Sequence, residues 1–380
     1  MIYLDNSATT YPKPPGLLER MVEIYREIGV SPGRGNHDLA VQAVDAVEAT
    51  RSAVARLFGA PDPERVVFAA NATDALNTLI QGLVRPGDHV VTTRLDHNSV
   101  LRPLHALAER GVITWDAVPF DDRGVVSPDA VEALLRPETR AVVMTHASNV
   151  IGTVQPVAEI ARRCAARSVP VVLDVAQTAG QLPLDMAALG VAAVAFTGHK
   201  ALYGPPGIGG LVAMPGLEVA TTRFGGTGMD SASLVHTQAW PLRLEAGTLN
   251  LLGVIGLGLG IEFVEAEGVG TIHAREARLL ARLRDGLAAI DRVTLYLADA
   301  AVDRVAVLAC NVDGVHPQDV GAILDGDFGI AVRVGVHCAP LVHRDLGTIE
   351  RGAVRFSLGA FTTEADIDAA VEAMRTIAAG

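Results

Sequence analysis

Two stretches decide the fold of this chain: VPVVLDVAQTAG at residues 169–180 and VAAVAFTGHKALYGPPGIGGLVAM at residues 191–214. Each opens on small or β-branched apolar residues and breaks abruptly into polar ones, at Asp174 and at Thr197. A short run that is apolar on both faces reads as a strand buried within a parallel sheet. Working outward, the same reading applies to Val66–Ala69, His89–Thr93, 141–146 and 208–214. Helical patterns lie between these runs at 74–83, 99–110, 128–135 and 156–167, and Pro128 and Pro156 suit first helical turns. This alternation predicts an α/β fold whose large sheet is mostly parallel and carries helices on both faces.

Past about residue 265 the rhythm changes. An amphipathic helix is predicted over 272–290, strands at 293–297, 304–311 and 354–358, and helices at 317–324 and 364–378. That is a smaller α+β unit. The chain divides into an N-terminal segment, 1–15, a large domain, 16–265, and a small C-terminal domain, 266–380, with the break where Gly and Glu interrupt an apolar helix. The N-terminal segment, with three prolines, suits packing onto either domain.

Composition narrows the function classes. With 380 residues and 49% apolar content the chain can bury a large core. Its net charge of −12 argues against nucleic-acid binding, which needs a concentrated basic surface. The apolar run 251–261 is 11 residues long, against about 20 for a membrane span. None of the three cysteines, Cys164, Cys310 and Cys338, sits in a CxxC pair, so neither a disulfide framework nor a cysteine zinc site is expected. The start, MIYLDNSATT, has no basic region of the kind a secretory signal needs, and a cytoplasmic enzyme is expected. Neither GxxxxGK[ST] nor HExxH occurs, so ATP hydrolysis and zinc proteolysis have no support.

In an open α/β sheet, ligands bind beyond the carboxyl ends of the strands. Five runs end in polar groups: Asn71-Ala72-Thr73, His97-Asn98-Ser99, His146-Ala147-Ser148-Asn149, Asp174-Val175-Ala176-Gln177 and Thr197-Gly198-His199-Lys200. Each alone has a plain explanation. Thr73 or Asp174 can be a helix cap, His97 and His146 satisfied loop histidines, and Lys200 a surface lysine. Together they supply an anion site, a carboxylate, imidazoles and one lysine, which is what pyridoxal 5'-phosphate needs. The phosphate wants N–H groups at a helix N-terminus, such as those of Ala72 and Thr73. The pyridine nitrogen wants a carboxylate, Asp174, and the aldehyde a lysine amine, Lys200. His97 offers a flat stacking partner, Gln177 can reach the phenolic oxygen, and Thr197 and His199 can bind phosphate.

DVAQTAG and TGHKALYGPPGIGG resemble the lysine region of fold-type I pyridoxal phosphate enzymes, in their class V aminotransferase branch. YLDNSATT, NATDALN, DHNSVLRPL, THASNVIGT, EAGTLN and VRVGVHCAP…VRFSLG extend the likeness to the cysteine desulfurase and selenocysteine lyase family, in the same order from residue 3 to about 375. The resemblance implies that Lys200 binds the cofactor and shuttles a proton, that Asp174 partners the pyridinium and Gln177 the phenolate, and that His97 stacks. It implies phosphate contacts from Thr73, Thr197 and His199, and places Asn149 near the phenolic oxygen and the substrate. Arg355 becomes the fork for the substrate α-carboxylate, a task suited to guanidinium geometry. Gly247-Thr248 resembles a segment that reaches the phosphate across a homodimer interface, although Leu249 stands where the family usually has proline.

By pattern, Cys164 and Cys310 read as small core hydrophobes in a helix and a strand. Cys338, in GVHCAP after an apolar strand, falls where the family carries its nucleophile, with His337 and Arg333 nearby. The implied reaction releases L-alanine from L-cysteine, or from L-selenocysteine, and leaves a persulfide on Cys338 for a thiol or protein acceptor. The open alternatives are selenocysteine lyase, or a transaminase, epimerase or C–S lyase of the same branch in which Cys338 is incidental. A non-enzymatic relative is disfavoured because Lys200 and Asp174 are both present.

Overall fold

The computed structural model describes residues 1–33, 35, 37–228 and 232–380. Its largest sheet has seven strands in the order Val66–Ala69, Gly209–Ala213, Ala193–Thr197, Val171–Asp174, Thr139–Thr145, His89–Thr93 and Thr114–Val118. The runs read from the sequence are all present, and the two deciding stretches sit side by side near its middle. The alternation of strand side chains builds two cores. Val66, Phe68, Val142, Met144, Leu173, Val194 and Phe196 face helices Asp38–Leu57, Pro128–Leu134, Val157–Ala165 and Leu251–Glu267. Val67, Val90, Val143, Val172 and Leu211 face helices Ala72–Leu83 and Asn98–Glu109. A one-residue slip in any inner strand would exchange these two sets between cores that are both filled, so the register is pinned.

Two features of this sheet differ from the sequence reading. Thr114–Val118 is an additional edge strand. Its sequence, TWDAV, is mixed and only partly buried, so it lacks the two-sided apolar signal of an inner strand. Gly209–Ala213 runs antiparallel to both neighbours. Only residues 198–208 link it to the preceding strand, and a parallel return needs a crossover of a dozen residues or more. The reversed strand lies unusually close to its neighbours. A Cβ at Gly210 would sit 2.4 Å from the Val67 carbonyl oxygen, so only glycine fits there.

Helices Leu251–Glu267 and Val269–Ala288 meet at Gly268, which is left-handed with φ 80°. The second belongs to another core, with helices Pro317–Phe328 and Glu364–Ala379 packed on a four-stranded antiparallel sheet. That sheet runs Arg333–Gly335, Ala353–Ser357, Val307–Val312 and Val293–Leu295.

The N-terminal segment contacts both parts of the molecule. Ile2–Tyr3 pairs in parallel with Ile330–Ala331, and Asp5 bridges to Ser357. A few residues on, the Thr10 amide donates to the His199 carbonyl (3.1 Å), and the Thr10 hydroxyl to that of Lys200 (2.9 Å). Helices Leu17–Ile28 and Asp38–Leu57, which no sequence pattern above singled out, follow it.

Candidate active site

The parallel strands end on one edge of the large sheet, and their polar ends meet there with the small sheet over a cavity of about 290 Å³. Ala72, Thr73, His97, Asn149, Asp174, Gln177, Thr197, His199, Lys200, Cys338 and Arg355 all line it. So do residues the sequence reading gave no role: Ser7, Ala8, Asn71, Thr145 and Ala176. Ser99, Arg333 and His337, named there only as neighbours, are also in the wall. Gly247 and Thr248 lie elsewhere, in a second cavity with Arg51 and Glu245, and do not reach this one within a single chain.

The anion end is built on helix Ala72–Leu83. Asn71 is its cap, accepting from the Asp74 amide at 3.0 Å, which sets aside the plain explanation of Thr73 as a cap and leaves Thr73 in the first turn facing the cavity. A helix N-terminus with free N–H groups attracts phosphate. Thr197 adds a buried hydroxyl, Oγ1, with no hydrogen-bond partner among the described residues. Such an orphan is expensive unless a ligand satisfies it. His199 stands beside it, neutral because burial first, then Lys200 and Lys13, push its pKa to about 4.

His97 caps helix Asn98–Glu109, its Nδ1 accepting from the Ser99 amide at 3.0 Å. The Ser99 hydroxyl lies 2.7 Å from that nitrogen and 2.7 Å from Thr73 Oγ1, tying the ring to the anion end. Burial, then the Lys200 charge, lowers the His97 pKa to about 4, so the ring is a flat neutral surface at pH 7. His146, by contrast, is a satisfied interior histidine, with Nδ1 3.0 Å from the Thr178 hydroxyl and no place in the cavity wall.

Asp174 and Lys200 stabilise each other's charged forms, but less than burial disfavours them. Burial raises the Asp174 pKa, opposed by the Ala176 amide that donates to Oδ1 at 2.9 Å and by Lys200. Burial lowers Lys200 to about 8, with Asp174 opposing and Arg355 and Arg333 adding to the effect. A cation between them would relieve the carboxylate, and a neutral amine is already within reach at Lys200. Gln177 donates to the Ser7 carbonyl at 3.4 Å.

The opposite wall comes from the small sheet. Arg355 and Arg333 are cross-strand partners, which concentrates positive charge where a carboxylate would enter. Arg355 is 2% exposed; Nη1 donates to the Asn149 carbonyl (2.9 Å) and Nη2 to Asp5 (2.8 Å). Its Nε is buried without a partner among the described residues. The Asp5 pair was invisible in the sequence, because 350 residues separate its members. Cys338 lies in the turn before helix Pro340–Asp345 and is half-buried. Cys164 and Cys310 are buried in core, where desolvation pushes their thiols up to about 11 and about 12.

These residues fit pyridoxal phosphate. The helix end and the orphaned Thr197 hydroxyl suit its phosphate, the buried Asp174 its cationic nitrogen, and the depressed Lys200 amine its aldehyde.

The aminotransferase class V family profile matches residues 2–370. A probable cysteine desulfurase of Mycolicibacterium paratuberculosis is 35% identical over 394 residues; the alignment takes in all of this chain but 56% of that longer protein. A probable cysteine desulfurase of Methanothermobacter thermautotrophicus is 34% identical over 99% of this chain and 94% of its own length. The solved apo structure of a cysteine desulfurase from Thermococcus onnurineus superimposes with a TM-score of 0.94 at 33% identity, covering 100% of this chain and 95% of that one. The chain therefore belongs to the aminotransferase class V family.

Proposed function

We propose that this chain is a pyridoxal 5'-phosphate-dependent L-cysteine desulfurase that releases L-alanine and leaves the sulfur as a persulfide on Cys338. One observation carries the reading: Cys338, the only partly exposed cysteine of the three, lines the same cavity as Lys200, Asp174 and Arg355. The names of the relatives above agree with it.

The cofactor supplies an electron sink that acidifies the Cα–H bond of a bound amino acid and loosens its Cβ–S bond. The chain supplies the rest. Asp174 would hold negative charge beside the pyridine nitrogen, and the neutral His97 ring would stack on the cofactor. Ala72, Thr73, Thr197 and His199, which line the cavity, would hold the phosphate, and Gln177 and Asn149 would serve the phenolic oxygen. Lys200, with a pKa near 8, takes the Cα proton as a neutral amine and returns it as an ammonium. Arg355 would clamp the α-carboxylate with N–H groups that its bonds to Asn149 and Asp5 leave unused, the unpartnered Nε among them. The Cys338 thiolate attacks the substrate sulfur; an S–S bond forms, the Cβ–S bond breaks, and Cβ takes up a proton to give alanine. A small thiol or a protein thiol then removes the outer sulfur.

The working unit in this reading is a cytoplasmic homodimer in which Gly247 and Thr248 reach the phosphate of the other copy, and the boundary between large and small domains falls near residue 265. L-selenocysteine is the neighbouring substrate.

The test is alanine release from L-cysteine with added thiol, in wild type and Cys338→Ala. Alanine and persulfide should both be lost in the variant, with the cofactor absorbance unchanged. Wild-type alanine production by Cys338→Ala, independent of thiol, would instead make Cys338 incidental, and pyruvate and ammonia in place of alanine would mark a C–S lyase.

A further inference from the structure

The turn that carries the cysteine is held in an unfavourable backbone state. His337 and Cys338 are both left-handed, with φ 50° and 56°. Non-glycine residues seldom adopt that region, and rarely twice in succession. Such strain persists only where the surroundings over-determine it. Two contacts act from the large-sheet side. Asn149 Nδ2 donates to the His337 carbonyl at 2.7 Å, and the Asn98 amide to the Cys338 carbonyl at 2.8 Å.

From the other side the His337 side chain begins a row of buried groups that the proposed chemistry does not use. His337 Nδ1 lies 3.1 Å from His343 Nε2, and His343 Nδ1 lies 2.8 Å from the Thr348 hydroxyl. His337 Nε2 faces the Arg333 carbonyl at 3.5 Å. His343 and Thr348 are 0% and 2% exposed. Burial lowers both imidazole pKa values, so both rings are neutral at pH 7 and each carries one N–H.

Two proton arrangements satisfy the row. In one, His337 Nε2–H points to the Arg333 carbonyl, His343 Nε2–H donates to His337 Nδ1, and the Thr348 hydroxyl donates to His343 Nδ1. In the other, His337 Nδ1–H donates to His343 Nε2, His343 Nδ1–H to the Thr348 oxygen, and the Thr348 hydroxyl to the His343 carbonyl at 3.4 Å. Both join the two rings and tie His343 to Thr348, so the row fixes the orientation of His337, and through its backbone the next residue.

We propose that Thr348 and His343 are positioning residues for the Cys338 thiol: their hydrogen bonds to His337 hold the left-handed turn that aims the sulfur into the cavity. The role in sulfur transfer rests on the desulfurase reading above; the role in placing the thiol does not. Neither residue lines the cavity, so neither touches the substrate or the cofactor.

The test compares Thr348→Val with Thr348→Ser, and His343→Phe with His343→Gln, in the holoenzyme. Valine and phenylalanine delete the hydrogen bond at similar volume. Serine restores the hydroxyl, and the glutamine amide can donate or accept in place of Nε2. The first readout is the rate of Cys338 alkylation by iodoacetamide, which needs no turnover. It should rise at least about threefold in the valine and phenylalanine variants, as the turn loosens, and return to within twofold of wild type with serine and glutamine. The second is single-turnover alanine release from L-cysteine. It should fall by roughly 10²-fold, the usual cost of a misplacement of about 1 Å, with KM nearly unchanged. Unchanged alkylation in both deleting variants overturns the proposal. So does a matching loss in valine and serine variants, which would mark a purely structural role. If His343→Phe does not fold, the near-isosteric Thr348 pair decides. The expected alkylation pattern in a wild type that forms no persulfide would support the positioning device and reject the desulfurase reading.

Discussion

The rim of the large sheet and the lobe that carries Cys338 make the same cavity in different ways. On the rim, each residue follows directly on a strand: Asn71 after Val66–Ala69, Asp174 at the end of Val171–Asp174, Thr197 at the end of Ala193–Thr197. Position comes from the strand itself, and the side chains are set by local caps and turns such as the Asn71 and His97 caps. In the lobe, residues 330–357, position comes from distant partners. Ile330–Ala331 pairs with Ile2–Tyr3, Arg355 with Asp5, and the His337 carbonyl with Asn149. The rim is a rigid platform. The lobe is held against it by those long-range contacts and by Ala339, Val342 and Ala353, buried in the large core. In the proposed mechanism chemistry at Cα belongs to the first and sulfur capture to the second, and the two should be separable.

The largest effect should come from the rim. Asp174→Ala leaves the cofactor nitrogen without its buried carboxylate. By the usual scale for a single electrostatic stabiliser, Cα–H exchange of L-alanine in deuterated water should slow roughly 10²- to 10³-fold. That exchange needs no thiol, so it reads the rim alone. An undiminished exchange rate would remove Asp174 from its role.

Arg355 belongs to the lobe but reaches both regions, through Asn149 and Asp5. Arg355→Lys keeps the charge and loses the fork. Losing one charged hydrogen bond, about 1.5–3 kcal/mol, should lower kcat/KM for L-cysteine roughly 10- to 100-fold and raise KM. Unchanged steady-state kinetics would shift the clamp to Arg333, its cross-strand partner.

The smallest effect isolates the lobe. Gly352 is left-handed, φ 78°, and a Cβ there would fall 2.5 Å from Gly335 Cα in the strand that leads to the cysteine turn. Gly352→Ala should cost roughly 1–3 kcal/mol of stability in thermal or urea unfolding. It should also slow alanine release from cysteine by up to about tenfold, while alanine Cα–H exchange stays at the wild-type rate. Equal loss of both activities would mean that rim and lobe are one mechanical unit.

Legibility followed the same division. The rim could be read because its information is local. Two-sided apolar runs end in a polar residue, and the strand direction fixes which edge that residue occupies. Even there, only the structure separates Thr73, which faces the cavity behind the Asn71 cap, from His146, which turns inward to Thr178, because both depend on rotamers and neighbours rather than on pattern. The edge strand Thr114–Val118 escaped notice since an edge exposes one side and carries no buried run.

By itself the sequence determined the α/β class, the inner strands and the polar residues at their ends, because burial on two faces forces a compositional signature that short segments carry alone. Only the tertiary structure decided that Gly209–Ala213 runs backwards, that Asp5 pairs with Arg355, and that His337, His343 and Thr348 align behind Cys338. Those outcomes depend on which surfaces meet across hundreds of residues of chain, or on the geometry of a turn. Hydrogen bonds and ion pairs acting at about 3 Å leave no periodic trace in the order of residues.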